Sequence, residues 1–572
     1  MVIKQKRRAH KLDEPILHEN HKRPVTRREF LGAGLVSGGA FVLGDTLLMG
    51  LMANPAFAAT AASCGLNVNG AGKVPFIAFD LGGGANMTGS NVLVGGPGGP
   101  MDFLSTAGYN KLGLPGDMVP GLAETTPTAT SNGDHTDTSF GLPFHSDSAF
   151  LRGMLAVTSQ ATRDNTNGCV IPARSDNDTG NNPHNPMYLI NMCGARGQLL
   201  ELIGSQSSVS GARSMSPANS INLKYQPTKV DRASDVTGLV DTGGLVGLLS
   251  QADAGVVMDS IQKLSAAKLG IDPSTGLIGG GTGSINATDV VKDLMHCGYL
   301  RTTKNVQEYG DPATLDLFQD PNVTGILGNG VTVDGITADL NQGFYEKVAA
   351  VMKLVIDGRA SAGTISEGGY DYHNGTRATG ELRDLRAGIG MGMCLEYAAL
   401  TRKPVMIYVY SDGSLASNGR IDDSVDGRGK GEWTGDNSST AASFFLVYDP
   451  LARPQLVGAT PEEQAIHQQL GFMRSTASVE TSGTTPGANN VNLLAQMVML
   501  NYLALHGEQA NFVNALNAQT NPYFLAANGG TPPDDDFRNI ANGLGDVANR
   551  DRLTAFTQLA SIQGGTIVVP TP

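Results

Sequence analysis

Short apolar runs alternate with amphipathic segments along the chain, and this alternation predicts an α/β fold. An apolar run over 74–81 stops at three consecutive glycines, which predicts a buried strand that ends in a glycine-rich loop. A second buried strand, rich in β-branched and aromatic residues, is predicted over 404–410. Helical spacing predicts one helix that ends near Ile356 and another over 379–402.

Weaker patterns predict the remaining elements. The expected strands lie at 155–158 and 444–448, and an element that can be either helix or strand covers 187–192. The expected helices lie at 233–268, 287–299, 490–517 and 535–562, besides the one at 335–357 that ends near Ile356. Irregular, polar or glycine-rich segments are expected at 82–100, 121–139, 162–186, 271–284 and 411–440.

The composition excludes several classes of protein. Glycine accounts for 74 of 572 residues, nearly twice the usual share of about 7%, yet without the three-residue period of collagen. Only 16% of the residues are charged, which excludes a coiled coil, and the net charge of −13 argues against a nucleic-acid partner. We expect one large domain over 59–572, with its core at about 74–450 and a C-terminal helical part at about 460–565.

Residues 1–58 have the pattern of an export signal. Thr-Arg-Arg-Glu-Phe-Leu at 26–31 fits the twin-arginine pattern, and a weakly apolar, Gly/Ala-rich run follows to about residue 52. Ala-Phe-Ala at 56–58 supplies the small-x-small triplet that a signal peptidase needs, so we expect cleavage after Ala58. Two alternatives stay open, namely a transmembrane anchor and lipidation at Cys64.

This export signal predicts a periplasmic or extracellular protein, and association with the cell envelope stays open. Its expected partner during export is the twin-arginine translocation machinery, and no permanent membrane span is expected after cleavage. Residues 1–58 carry nine Lys+Arg and five Asp+Glu, so cleavage changes the net charge from −13 to −17. The route carries folded proteins, often with a metal or cofactor already loaded, and therefore favours a metal site.

All five cysteines lie beyond the signal. The destination is oxidising and permits disulfides, and the odd number leaves at least one thiol over. We expect a bridge between Cys169 and Cys193. Buried free thiols are at least as good an interpretation of Cys297 and Cys394.

Two acidic residues and one histidine are candidate metal ligands. Asp371 and His373 are two residues apart on an extended segment between helices, so both side chains can face the same side. Asp412 follows the strand at 404–410, and ligands of α/β sheets bind beyond the carboxyl ends of strands. Carboxylate and imidazole ligands suit zinc, manganese or iron. The alternative is a loop aspartate that caps a helix and a histidine bonded to backbone.

The order of these motifs resembles that of a twin-arginine-exported bacterial family of the alkaline phosphatase/sulfatase superfamily. The matching pieces are the signal, the strand and glycine-rich loop at 74–86, Leu-Pro-Phe-His at 142–145, Gly-Tyr-Asp-Tyr-His at 369–373, and Ser-Asp-Gly at 411–413 with Asn418 after it. The resemblance implies a central, mostly parallel sheet sandwiched by helices, with long Gly/Asn-rich loop insertions and with metal ligands on loops at the strand ends.

Two positions depart from the family's pattern. The family usually carries an aspartate ligand in the first glycine-rich loop, where this chain has Asn86 or Gly89. The family also carries Gly-x-Asp-His in a later loop, where this chain has Gly-Asp-Asn at 435–437 and no histidine before His467. The resemblance therefore implies Asn86 as a ligand beside the three candidates above, in a reduced centre that takes zinc, manganese, calcium or no ion.

The resemblance also implies a nucleophile. Phosphatases and sulfatases of the superfamily attack from Ser, Thr or a modified Cys near the metals, and the candidates here are Thr179 and Ser146. His184 is a candidate further ligand or base. An ordinary role in a loop is the alternative for each of the three.

Two functions follow as expectations. The first is a metal-dependent hydrolase of phosphate or sulfate esters. The second is a non-catalytic envelope or secreted protein that kept the fold, lost the centre, and binds a partner through its long loops. Fold-level resemblance alone does not decide between them.

Overall fold

The computed structural model describes residues 72–175, 182–222, 225–239, 251–270, 315–482, 485–516 and 547–569, together with the single positions 292, 295, 296 and 544. The export signal, its cleavage site, Cys64, Thr179 and Cys297 lie outside the described residues. So do the connector at 271–284, nearly all of the helix expected at 287–299, and residues 517–543.

Seventeen strands occur in these ranges. In chain order they are β1 Phe76–Gly82, β2 Thr136–Asp137, β3 Phe144–His145, β4 Thr166–Pro172, β5 Leu200–Gly204, β6 Thr228–Lys229, β7 Val331–Val333, β8 Ile336–Ala338, β9 Ala360–Gly368, β10 Val405–Tyr410, β11 Leu415–Asp422, β12 Lys430–Asp436, β13 Ala442–Tyr448, β14 Met473–Arg474, β15 Ser478–Val479, β16 Ile562–Gln563 and β17 Thr566–Ile567.

Thirteen α-helices occur in the same ranges. They are α1 Thr106–Lys111, α2 Ala149–Val157, α3 Gln160–Asp164, α4 Met187–Met192, α5 Ala233–Gly238, α6 Gln251–Leu269, α7 Pro321–Leu327, α8 Gly343–Ile356, α9 Arg377–Leu400, α10 Pro461–Gln468, α11 Val491–Ala504, α12 Phe512–Leu516 and α13 Val547–Arg552.

Seven strands form the central sheet, in the order β4-β13-β10-β1-β9-β5-β6. β10, β1, β9, β5 and β6 pair in parallel, whereas β13 pairs antiparallel with both β10 and β4. The sheet is therefore mostly parallel. The carboxyl ends of β10, β1 and β9, which are neighbours, meet at one edge of it.

Helices cover both faces of the sheet. In β1, Ile77 and Phe79 belong to one hydrophobic layer with α2, α8 and α9, and Phe76 and Ala78 belong to a second layer with α4 and α11. This division follows from the strand's period of two, which turns successive side chains to opposite faces. The mixed α/β architecture expected from the sequence is thus confirmed.

Several predicted elements agree with the structure and others are wrong. The strands expected at 74–81, 404–410 and 444–448 correspond to β1, β10 and β13, and the helices expected to end near 356 and to cover 379–402 correspond to α8 and α9. The strand expected at 155–158 is wrong, because those residues end α2 and follow it. The segments expected to be irregular contain β4, β11 and β12.

The predicted disulfide is also wrong. Cys169, Cys193 and Cys394 are free and buried. The Cys169 thiol lies near the carbonyl oxygens of Val170 and His467, and the Cys193 thiol donates to the carbonyl oxygen of Leu189, so each sulfur faces backbone. Among the described residues, no helix combines the length and the apolar character that crossing a membrane requires.

Candidate metal centre

The loops that follow β1, β9 and β10 come together at the carboxyl edge of the sheet. The amide of Gly83 donates to Asp412 Oδ1 at 2.8 Å. A Cβ atom at Gly83 would lie 2.6 Å from the backbone nitrogen of Asp371, and the φ of Gly83 is +123°. Both the space and the backbone conformation therefore require glycine at position 83, and its absence of a side chain lets the loop after β9 approach.

Asp371, His373 and Asp436 form a group at this edge whose potential ligand atoms all lie within 4.8 Å of one another. His373 Nε2 lies 2.9 Å from Asp371 Oδ1, and His373 Nδ1 lies 3.7 Å from Asp436 Oδ1. The side chains of Asp371 and Asp436 are 46% and 53% exposed, so both carboxylates have room to turn. The imidazole lies between two acidic groups that solvent can reach.

Tyr372, the residue between Asp371 and His373, fixes their loop to α9. Tyr372 is buried, and its hydroxyl donates to Asp384 Oδ1 on α9 at 2.8 Å. Asn91 Nδ2 donates to the other oxygen of Asp384 at 2.8 Å, which ties the glycine-rich loop to the same carboxylate. Burial raises the pKa of Asp384 to about 7, against hydrogen bonds from Tyr372 and Asn91 that lower it.

Asp436 reaches the group from a hairpin that the sequence did not reveal. β11 and β12 pair antiparallel, with Leu415 opposite Asp436, and the amide of Asn437 donates to the carbonyl oxygen of Ser414. The amide of Gly375 donates to the carbonyl oxygen of Trp433 at 2.7 Å, so β12 also holds the loop of His373. Asp436 is thus placed by backbone pairing at the end of a strand.

The structure gives Asp412 and Asn86 other surroundings than the sequence suggested. Asp412 follows β10 as expected, but it is 2% exposed, its Oδ1 accepts from Gly83, and the ligand group at this edge contains Asp436 in its place. Asn86 is buried; its amide donates to the carbonyl oxygen of Leu415, and its side-chain oxygen accepts from Thr88. Both side chains bond to the protein's own backbone.

The candidate nucleophile Ser146 and the candidate ligand or base His184 have other partners. The hydroxyl of Ser146 donates to Glu124 Oε1. His184 is buried, its Nε2 lies 3.0 Å from Ser175 Oγ, and its ring stacks on Tyr410. Burial lowers the pKa of His184 to about 3, so the ring is neutral and a weak base. Thr179 lies outside the described residues.

Asp436 is the functional candidate that sequence reasoning missed. The signal was present, because Gly435-Asp436-Asn437 stands where the resembled family has Gly-x-Asp-His. Asn437 itself caps a short 3-10 turn, since its side-chain oxygen accepts from the amide and hydroxyl of Ser439.

The donor set of the group suits a divalent ion. One imidazole nitrogen with two carboxylates fits zinc or manganese, and the exposure of both acids leaves positions for water or a substrate oxygen. As arranged, opposite nitrogens of His373 face the two carboxylates. Because one ring nitrogen binds one ion, at least one carboxylate must turn toward that nitrogen. Comparison of the chain with protein-family models, with curated proteins and with solved structures gave no match.

Proposed function

We propose that this protein is an exported, metal-dependent hydrolase of phosphate or sulfate esters with an alkaline-phosphatase-like fold. The observation that carries the proposal is the convergence of Asp371, His373 and Asp436 at the carboxyl edge of a mostly parallel sheet. This edge is where ligands bind in open α/β sheets.

The chain's own residues have distinct tasks in this proposal. Asp371, His373 and Asp436 would hold one divalent ion, zinc or manganese by their chemistry, with calcium less suited because imidazole is a nitrogen donor. Tyr372 and its bond to Asp384 would fix the loop between the first two ligands. A divalent ion supplies Lewis-acid stabilisation of an ester oxygen and lowers the pKa of a bound water.

Metal analysis of the purified full chain tests the proposal. We expect about one zinc or manganese ion per chain by mass spectrometry, and its loss in both Asp371→Asn and Asp436→Asn. Asp423→Asn is the matched control, because Asp423 is an exposed acid on the hairpin of Asp436. Hydrolysis of p-nitrophenyl phosphate or p-nitrophenyl sulfate should require the same two carboxylates. Equal metal content in all three variants would contradict the assignment.

A second function is favoured by the exposure of the group. Two half-exposed carboxylates around one imidazole also suit a non-catalytic binding protein, in which an ion or the acidic surface contacts a partner. Ser146 is bonded to Glu124 and His184 is buried, so neither strengthens the catalytic interpretation. Metal binding without hydrolysis of either ester would favour this second function.

Export by the twin-arginine route remains part of the proposal, and it rests on the sequence at 26–31 and 56–58. Mass spectrometry of the exported chain should find an N-terminus at Ala59. Replacement of Arg27 and Arg28 by lysine should retain the precursor in the cytoplasm.

A further inference from the structure

Two glycines at the carboxyl ends of β1 and β9 leave room for one arginine. Gly82 and Gly368 stand opposite each other in the parallel pairing, and neither has a positive φ. A Cβ at Gly82 would lie 2.9 Å from Arg213 Cδ, and a Cβ at Gly368 would lie 2.0 Å from Arg213 Nη1. The backbone therefore does not require glycine at either position, whereas the side chain of Arg213 occupies the space.

The backbone of Arg213 is anchored beneath this position by a buried acid. The amide of Arg213 donates to Asp80 Oδ2 at 2.9 Å and to Ser366 Oγ at 3.1 Å. The amide and the hydroxyl of Ser214 also donate to Asp80, at 3.0 and 2.8 Å. Burial raises the pKa of Asp80, and these hydrogen bonds oppose that effect. The anchor fixes where the arginine side chain begins.

Arg383, a residue of α9, contacts the same end of β9. Arg383 Nη1 donates to the carbonyl oxygen of Gly368 at 3.1 Å. A Cβ at Gly369 would lie 2.5 Å from Arg383 Nη1, and the φ of Gly369 is +89°. The two guanidinium groups therefore flank the pair Gly368-Gly369, two residues before Asp371.

Neither arginine has an acidic partner of its own within the part of the chain that the structure describes. No carboxylate forms an ion pair with Arg213 or Arg383 there, and the Arg213 side chain is exposed. The neighbouring cations differ, because Lys347 and Arg386 both pair with Glu367. Two guanidinium groups that form no ion pair among the described residues thus lie at one strand end, where they can donate to an anion.

We infer that Arg213 and Arg383 bind a tetrahedral oxyanion, the phosphate or sulfate group of a ligand, at this edge of the sheet. Guanidinium groups match such anions with paired N–H donors, and a charge-assisted hydrogen bond is about twice as strong as a neutral one. The inference deepens and rests on the proposed function, because it assigns the anionic group of the ester to residues beside Asp371. Its anion affinity, however, does not depend on a metal.

The experiment measures binding of inorganic phosphate, and separately of inorganic sulfate, to the full chain after treatment with a chelator. Isothermal titration calorimetry at constant ionic strength, balanced with sodium chloride, supplies the affinities. We expect Arg213→Gln and Arg383→Gln each to weaken binding at least tenfold. Arg474→Gln is the control, because Arg474 is an exposed arginine that pairs with Glu480 on a separate hairpin.

A further variant separates position from charge. Gly368→Ala keeps every charge, but its methyl group must displace the guanidinium of Arg213. We expect a loss of phosphate affinity of at least tenfold with an unchanged net charge. The ratio of phosphate to sulfate affinity indicates which ester the site prefers.

The outcomes are distinct from those of the metal test. Tighter binding in the wild type than in all three edge variants, with Arg474→Gln unchanged, supports the oxyanion site even if no metal is found. Equal weakening in Arg474→Gln, or full affinity in Arg213→Gln and Arg383→Gln, overturns it even if the metal is present. Metal content measured on the same variants should stay at the wild-type value.

Discussion

His506 joins the C-terminal helical layer to the start of the central sheet, and its protonation should control part of the protein's stability. Its Nε2 accepts from the amide of Val74 at 3.0 Å, and its Nδ1 donates to the carbonyl oxygen of Tyr502 at 2.8 Å. The hydroxyl of Tyr502 donates to the carbonyl oxygen of Val74 at 2.7 Å. This geometry requires the neutral imidazole, because a second ring proton would face the amide of Val74.

The size of this effect on the free energy of unfolding follows from the pKa of His506. Burial, with the positive charge of Lys73, lowers the pKa of His506 from 6.5 to about 3. The unfolded chain therefore binds a proton near pH 6.5 that the folded chain does not bind until about pH 3. The contribution of His506 is present above pH 6.5 and is lost as the pH falls, at about 1.4 kcal/mol per pH unit. Between pH 6.5 and 4.5 it changes by about 2.7 kcal/mol.

Urea unfolding of the wild type and of His506→Gln at pH 7 and pH 4.5 measures this effect. The fluorescence of Trp433 is a suitable signal, since it is the single tryptophan and is buried. At pH 7 the variant should be less stable by about 1–3 kcal/mol, the usual cost of an unsatisfied buried amide. At pH 4.5 that difference should shrink by about 2.7 kcal/mol and vanish or reverse. A difference that is equal at both pH values would falsify the neutral, bridging role of His506.

Three further predictions concern the interior. Gly380→Ala should cost about 1–3 kcal/mol of unfolding free energy and shift the Trp433 emission, since its methyl would lie 2.7 Å from the Tyr372 ring and 3.3 Å from Trp433 Nε1; Gly325→Ala, with open space at its Cβ, is the helical control and should stabilise slightly. Asp384 has a raised pKa of about 7, so its contribution is largest at low pH and is lost as the pH rises through 7. Asp384→Asn should therefore flatten the stability profile between pH 4 and 7, by up to about 4 kcal/mol in urea unfolding, and an unchanged slope would contradict the raised pKa. Burial also raises the pKa values of the Cys169, Cys193 and Cys394 thiols, so iodoacetamide should label them only after unfolding; rapid labelling of the native chain would contradict their burial.

The strands that could be predicted differ in composition from those that could not. β10 is a run of β-branched and aromatic residues, and burial of both faces explains its continuous apolar pattern. β4, with sequence TNGCVIP, is equally buried, but its Thr, Asn, Gly and terminal Pro are typical of loops. β9 consists largely of small and polar residues, of which Gly363 has no space for a Cβ beside Val351 and Val355. Close packing between strand and helix therefore requires small residues in β9, and a strand of small residues lacks the apolar pattern by which strands are recognised in a sequence.

The candidate site was predictable only as far as local sequence defines it. Asp371 and His373 are two residues apart, and their convergence needs one loop. Asp436 joins them through a hairpin whose outward face is polar, so periodicity gave no indication of β11 and β12. The sequence predicts that Asp412 follows the end of β10. It does not predict the direction of the Asp412 side chain, because that depends on which strand is the neighbour of β10 and therefore on which loop lies next to Asp412.

Asp412 and its neighbour organise the edge instead of forming part of the ligand group. Ser411 Oγ accepts from the amides of Gly84 and Ala85 and donates to the carbonyl oxygen of Leu81, while Asp412 Oδ1 accepts from Gly83. These bonds fix the turn after β1. In this turn Gly83 lies against the backbone of Asp371, with no room for a side chain between them. The buried carboxylate of Asp412 thus positions Gly83, and Gly83 in turn determines where the exposed Asp371 lies. The two aspartates therefore differ in burial although both follow central strands, because Asp412 accepts from the amide of Gly83 and Asp371 faces solvent.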